Sequence, residues 1–239
     1  MLLSNIKDFF YEKLCFICRQ KCQHFLCLNC ENISKNINAC KVCAASLTNN
    51  KCECCLNNDF KFQSTYALYT NDLYFKIIIY AIKNGHISLL KYLSLHLAQN
   101  FQESLFINNL PKPDLLLPIP LNNKKLIQRG YNQSLVITKI LSKYLNIPYN
   151  INILLKNKHN LQTQHFLNKL QRQQNINNIF TYQNLNSLKN LHVAIVDDVF
   201  TTGATVNEIA INLQKYCSSI SNVVIARTKY IPLDNQNIS

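Results

Sequence analysis

The stretch 193–206, V-A-I-V-D-D-V-F-T-T-G-A-T-V, constrains this chain more than any other. Four apolar residues, Val193 to Val196, mostly β-branched, predict a buried strand. Two carboxylates follow, Asp197 and Asp198, and then a turn of hydroxyls and one glycine, Thr201-Thr202-Gly203-Ala204-Thr205. Beyond it Val206, Ile209, Ala210 and Leu213 recur at helical spacing, so a helix is predicted to start near Thr205. Strand, acidic pair, turn and helix start, in that order, bring a helix N-terminus beside two carboxylates.

A helix N-terminus offers unpaired N–H groups and partial positive charge, which favour a phosphate. Thr201, Thr202 and Thr205 add hydroxyl donors, and Gly203 lets a ligand approach the backbone closely. Carboxylates repel phosphate, so Asp197 and Asp198 are expected to do another job. They can accept hydrogen bonds from two neighbouring sugar hydroxyls and help hold a hard cation. The chemistry that suits the whole string is a phosphorylated sugar.

Cysteine is the second constraint. Ten of the eleven crowd into the first quarter of the chain: Cys15, Cys18, Cys22, Cys27, Cys30, Cys40, Cys43, Cys52, Cys54 and Cys55. Four C-x-x-C pairs can be read, Cys15/Cys18, Cys27/Cys30, Cys40/Cys43 and Cys52/Cys55, and four such knuckles make two Cys₄ zinc sites. Sequential pairing puts the first four on one Zn²⁺ and the last four on the other. Cys22 and Cys54 are left over, and either could replace a neighbour; His24 is a further conceivable ligand. So small a segment, with few core-forming residues, needs metal to fold. Disulfides would require an oxidising compartment that nothing in the sequence supports.

The chain has a formal charge of +13. Eight thiolates on two Zn²⁺ would contribute −4 and leave roughly +9. A basic surface suits nucleic acid and phosphate substrates alike, so charge alone does not choose. An average composition would include roughly 17 glycines, whereas this chain has three, Gly85, Gly130 and Gly203. Such sparing use predicts that each sits where the backbone needs it. The sequence has neither a basic start followed by an apolar core, as a signal peptide would, nor a run of ~20 apolar residues. No membrane insertion and a cytoplasmic location are therefore expected.

From Phe60 the cysteines stop and strands alternate with helices. Strands are predicted over 62–69, 115–120, 191–196 and 222–226, and helices over 2–14, 72–83, 88–101 and 131–145. A basic loop with Lys124, Lys125 and Arg129 ends at Gly130. The segment 155–180 is polar, carries Lys156, His165 and Arg172, and reads as a loop or weak helix. Cys217, alone at a helix end, reads as core. Alternating strands and helices imply a doubly wound parallel sheet with ligands at the carboxyl ends of its strands. That edge would gather Asp197, Asp198 and the 124–129 loop. The expected division is 1–58 for a double zinc ribbon and 59–239 for the α/β domain.

The stretch 193–206 resembles the phosphoribosyl-pyrophosphate (PRPP) signature of type I phosphoribosyltransferases. With L-P-I-P-L at 117–121, R-G-Y-N-Q-S at 129–134, and Q-H-F-L at 164–167 followed by Arg172, Asn175, Asn178 and Phe180, nearly the whole chain resembles the ComF/GntX family. Members commonly show R-G-F-N-Q, so Tyr131 is a mild departure; Lys124 and Lys125 stand where basic residues are usual. The resemblance implies a five-stranded parallel core, a zinc ribbon holding about two Zn²⁺, and Mg²⁺-dependent PRPP binding. Asp197 and Asp198 would meet the ribose hydroxyls, and the segment Val199, Phe200, Thr201, Thr202, Gly203, Ala204 and Thr205 would cradle the 5-phosphate. Lys124, Lys125, Arg129, Gly130, Gln164, His165 and Arg172 are the candidates to face pyrophosphate.

Two functions follow from that resemblance. One is a factor of natural competence that handles single-stranded DNA with the DNA-uptake machinery and binds PRPP. The other is a catalytically active phosphoribosyltransferase of nucleotide metabolism, in which pentosyl transfer displaces pyrophosphate from PRPP. Phe16, Arg19, Lys21 and Phe25, aromatic and basic together, are the ribbon residues able to stack on bases.

Overall fold

The computed structural model describes residues 14–32, 39–70, 76–77, 79–81, 84–156 and 179–230. All of the predicted helix 2–14 but Leu14, most of 72–83, and Gln164, His165 and Arg172 lie outside the described residues.

Four strands form a parallel sheet: β1 (Ser64–Tyr69), β2 (Leu115–Pro118), β5 (His192–Phe200) and β6 (Ser219–Arg227), in the order β1-β6-β5-β2. Along β5, Ala194 and Val196 belong to one apolar cluster and Val193 and Ile195 to the other. Val223 and Ile225 alternate with Val224 in the same way. This period of two, apolar on both faces, is what a parallel sheet covered on both sides requires. Helices α3 (Ile87–Ile107) and α5 (Gln133–Leu145) cover one face through Leu89, Leu93, Leu97, Ile137 and Leu141. Helix α6 (Ala204–Leu213) covers the other through Val206, Ile209, Ala210 and Leu213.

The implied fifth parallel strand is reduced, among the described residues, to one bridge between Leu116 and Tyr149. Leu116 N–H bonds Pro148 O at 2.9 Å and Asn150 N–H bonds Leu116 O at 3.1 Å. Pro148 has no N–H of its own to donate, so the ladder does not extend through it.

Three local expectations need correction. Strand β5 does not stop at Val196 but runs through both aspartates to Phe200. The basic segment is not a loop but the helix α4 (Asn123–Arg129). Asn122 caps it by accepting from Lys125 N–H at 2.8 Å, and Gly130 ends it at φ +77°. The ends of the 155–180 segment pair as a short antiparallel ribbon, β3 (Leu154–Lys156) with β4 (Phe180–Tyr182). All three glycines adopt positive φ, so the sparing use of glycine is positional.

The cysteine-rich segment does not stand apart from this core. Its two short helices are α1 (Leu28–Asn32) and α2 (Glu53–Leu56). Cys15, Leu26 and Cys30 belong to the cluster under α3, and Cys43, Ala45 and Cys54 to the cluster under α6. Glu31 of α1 accepts a hydrogen bond from Tyr92 Oη and lies 3.5 Å from His96 Nε2, both on α3.

Candidate functional site

The acidic pair lies at the carboxyl end of β5, half-buried against the start of α5. Ser134 Oγ donates to Asp197 Oδ1 at 2.7 Å, and the same oxygen accepts from Asp198 N–H at 2.9 Å. Asp198 Oδ1 accepts from Val199 N–H at 2.8 Å. Burial, followed by the neighbouring Asp198 charge, pushes Asp197 up to about 8. Burial raises Asp198 too, while Val199 N–H and the Arg129 charge pull it the other way. A cation, or a sugar presenting two hydroxyls, would favour the ionised pair and displace the proton at Asp197.

The turn after β5 rests on an aromatic floor. Phe60 and Phe62 stack at 4.9 Å, and both meet Phe200 edge-on at 6.2 and 6.0 Å. Gly203 stands directly above. A Cβ added there would lie 2.5 Å from Phe200 Cζ and 2.8 Å from Phe60 Cε1, at φ +82°. Glycine is thus required by the aromatics below as much as by its backbone angle. Thr201, Thr202, Ala204 and Thr205 are exposed around the N-terminus of α6, with Thr202 Oγ1 accepting from Ala204 N–H at 3.3 Å. Phe200 itself is buried, so it offers a ligand only backbone.

The structure brings some predicted cations to this edge. The Arg129 charge acts on Asp198 and on Tyr131, and Arg129 Nη1 donates to Gln133 Oε1 at 3.4 Å. Lys124 and Lys125 lie exposed on α4. Tyr131 Oη and Gln133 Nε2 are buried with no partner among the described residues. Buried polar atoms left unpaired are costly, so they fit a site completed by a ligand. Three contributors escaped the sequence reading of the site. Ser134 sits within the R-G-Y-N-Q-S stretch, where nothing local marks it as a partner of Asp197. Lys156 has its pKa lowered by burial and then by the Lys125 charge, while Asp197 and Glu208 act the other way. Glu208, on the inward face of α6, is pushed up to about 7 by burial, with Lys156 opposing. Nothing in sequence distance marks Glu208, on α6, as a neighbour of Lys156, on β3; only tertiary packing brings them together.

In the cysteine-rich segment the sulfurs of Cys15, Cys18, Cys27 and Cys30 all lie within 4.8 Å of one another, as do those of Cys40, Cys43, Cys52 and Cys55. The separations Cys18–Cys27 (3.6 Å), Cys40–Cys55 (3.7 Å) and Cys43–Cys52 (3.4 Å) fit the about 3.8 Å between thiolates on one tetrahedral zinc. Both groups fit Zn²⁺. Cys22 and Cys54 stand outside them. Cys22 Sγ bonds His24 O at 2.9 Å, and buried Cys54 meets Arg227 Nη2 at 3.4 Å. His24 is not a ligand either; it stacks on Tyr92 at 6.2 Å. Phe16 packs on Tyr80 at 5.4 Å and Phe25 on Tyr92 at 5.4 Å. Phe16, Phe25 and Tyr92, with Leu14, Gln23 and His24, line a groove of about 360 Å³, and the Arg19 guanidinium lies 5.7 Å from the Phe16 ring.

No family model matches the chain. It is 37% identical over 109 residues to competence protein F of Haemophilus influenzae, covering 45% of this chain and 47% of that protein. It is 34% identical over 98 residues to DNA utilization protein YhgH of Escherichia coli, covering 41% and 42%. The chain spans about half the length of the curated relatives it matches, or somewhat less. Two solved structures are similar: a glutamine PRPP amidotransferase from B. subtilis complexed with ADP and GMP, at TM-score 0.40 and 18% identity over 56% of this chain and 25% of that one. The other is a purine phosphoribosyltransferase from Pyrococcus horikoshii, at TM-score 0.35 and 18% identity over 60% and 78%. Among the described residues no helix is long and apolar enough to cross a membrane. Relatives of those names, together with paired Cys₄ clusters ahead of a parallel α/β sheet, fit the resemblance to the ComF/GntX family, a zinc ribbon followed by a phosphoribosyltransferase-like domain.

Proposed function

We propose that the chain binds PRPP with Mg²⁺ at the carboxyl edge of its sheet, within the domain 59–239, and serves DNA uptake rather than general metabolism. One observation carries the PRPP reading: the acidic pair, the turn at the N-terminus of α6 and the unpartnered Tyr131 Oη and Gln133 Nε2 belong to one edge. Mg²⁺ would supply charge to neutralise the diphosphate. The chain's own residues would do the rest. Asp197 and Asp198 accept the ribose hydroxyls, Thr201 to Thr205 receive the 5-phosphate, and Arg129 with Lys124 and Lys125 faces the pyrophosphate. Gln164, His165 and Arg172 remain candidates for that last task. Calorimetry with PRPP tests this: binding is expected with Mg²⁺ and lost with EDTA. Equal affinity for wild type and Asp198→Asn would overturn it.

A role in DNA handling is favoured by the groove on the ribbon. Phe16, His24, Phe25 and Tyr92 present ring surface, with Arg19 beside them, which is the composition of a base-stacking platform. Competence protein F and DNA utilization protein YhgH carry names of the same sense. Fluorescence anisotropy with a labelled single-stranded oligonucleotide is expected to show weaker binding for Phe25→Ala and a steep loss with salt. The alternative, pentosyl transfer, would show as release of pyrophosphate from PRPP when nucleobases are supplied.

A further inference from the structure

Among the described residues Arg227 is the largest side chain that is almost wholly buried, at 1% exposed. It ends β6 opposite Phe200. Its Nε donates to Cys43 O at 3.0 Å and its Nη2 to Cys54 Sγ at 3.4 Å. Its Nη1 meets Phe200 O at 3.2 Å, Thr228 O at 3.0 Å and Thr201 O. The guanidinium lies 4.7 Å from the centre of the Phe200 ring. One buried cation thus holds the second cysteine cluster with one side and the turn of the candidate phosphate site with the other.

Among the described residues no carboxylate pairs with it. A buried charge needs a partner. Four thiolates on one Zn²⁺ carry a net charge of −2, and Cys43 is one of the four.

The hydrogen bonds also orient the turn. In a trans peptide the C=O and the following N–H point in opposite directions. With the carbonyls of Phe200 and Thr201 drawn inward to Arg227, the N–H groups of Thr201 and Thr202 face the other way, toward the ligand side of the turn. We propose that Arg227 is a positioning residue for the 200–203 turn, and that the metal-loaded cluster of Cys40, Cys43, Cys52 and Cys55 is its counter-charge. The consequence for phosphate binding rests on the PRPP reading above; the coupling of cluster and turn does not.

Two readouts on the full chain separate these. Hydrogen exchange at the amides of 200–204 is expected to rise at least tenfold in Arg227→Met and to be partly restored in Arg227→Lys. The double variant Cys52→Ser/Cys55→Ser is expected to raise exchange at the same amides, whereas Cys18→Ser/Cys27→Ser, in the other cluster, is not. PRPP·Mg²⁺ affinity measured by calorimetry is expected to fall at least tenfold in Arg227→Met. Unchanged exchange at 200–204 in Arg227→Met, or an equal rise from both cluster variants, would overturn the proposal. If Arg227→Met does not fold, exchange and affinity in Arg227→Lys decide, and wild-type values there refute it. Should the wild type fail to bind PRPP while the exchange pattern holds, the PRPP reading falls and the coupling stands.

Discussion

Ser134 Oγ donates a 2.7 Å hydrogen bond to Asp197 Oδ1 across a gap of 63 residues in sequence. It joins the R-G-Y-N-Q-S stretch at the start of α5 to the acidic pair at the end of β5, and so binds two motifs into one site. Ser134→Ala leaves that oxygen short of a donor, and the hydrogen bond is one of the influences that lower the Asp197 pKa. A net loss of about 1 kcal/mol, roughly fivefold in PRPP·Mg²⁺ affinity, is expected. Calorimetry checks it, and Ser134→Thr is expected to retain most of the affinity.

The raised pKa values set a pH dependence of definite sign. Between the ordinary carboxylate range and about pH 8 the folded chain holds a proton at Asp197 that the unfolded chain has released. Asp198 and Glu208 are shifted the same way. Their contribution to stability is therefore fully present at low pH and is lost as pH rises through the folded values. Asp197→Asn removes one of these raised groups. Urea midpoints are expected to favour Asp197→Asn over wild type at pH 8 and to converge near pH 5. A constant difference across that range would contradict the assignment.

If both carboxylates must ionise to receive a cation and a sugar, PRPP·Mg²⁺ binding at pH 7 releases protons. Calorimetry in buffers of different ionisation enthalpy should then give different apparent heats. The dependence is expected to shrink in Asp197→Asn.

Gly203 and Gly130 both have positive φ but differ in surroundings. A methyl at Gly130 meets nothing within 4 Å, whereas at Gly203 it collides with Phe200 and Phe60. Gly130→Ala is expected to cost about 1 kcal/mol from backbone strain alone. Gly203→Ala adds overpacking, for a total of about 2–4 kcal/mol. Chemical denaturation checks the order of the two.

Elemental analysis is expected to find two zinc ions per chain. Cys22→Ser and Cys54→Ser should keep both, because neither sulfur belongs to a cluster. Cys18→Ser and Cys52→Ser should each weaken one.

What the sequence determined by itself was whatever depends on neighbours a few residues apart. The C-x-x-C knuckles pair in chain order, because two residues between thiolates already bring both within reach of one metal. The order strand, acids, turn, helix in 193–206 is likewise local, and so are the period-two apolar runs of β5 and β6. Local signals erred where a cap outweighed composition. Lys124, Lys125 and Arg129 looked like a loop, yet Asn122 and Gly130 close a helix around them. Tertiary structure alone decided the contacts between distant segments. Ser134 reaches Asp197 because α5 packs beside β5. Arg227 reaches Cys43, 184 residues away, because β5 and β6 pair so that Phe200 stands opposite Arg227 above the second cysteine cluster. No periodicity encodes such a meeting. A buried arginine is written like an exposed one, and only the sheet order and register put its guanidinium where no water remains.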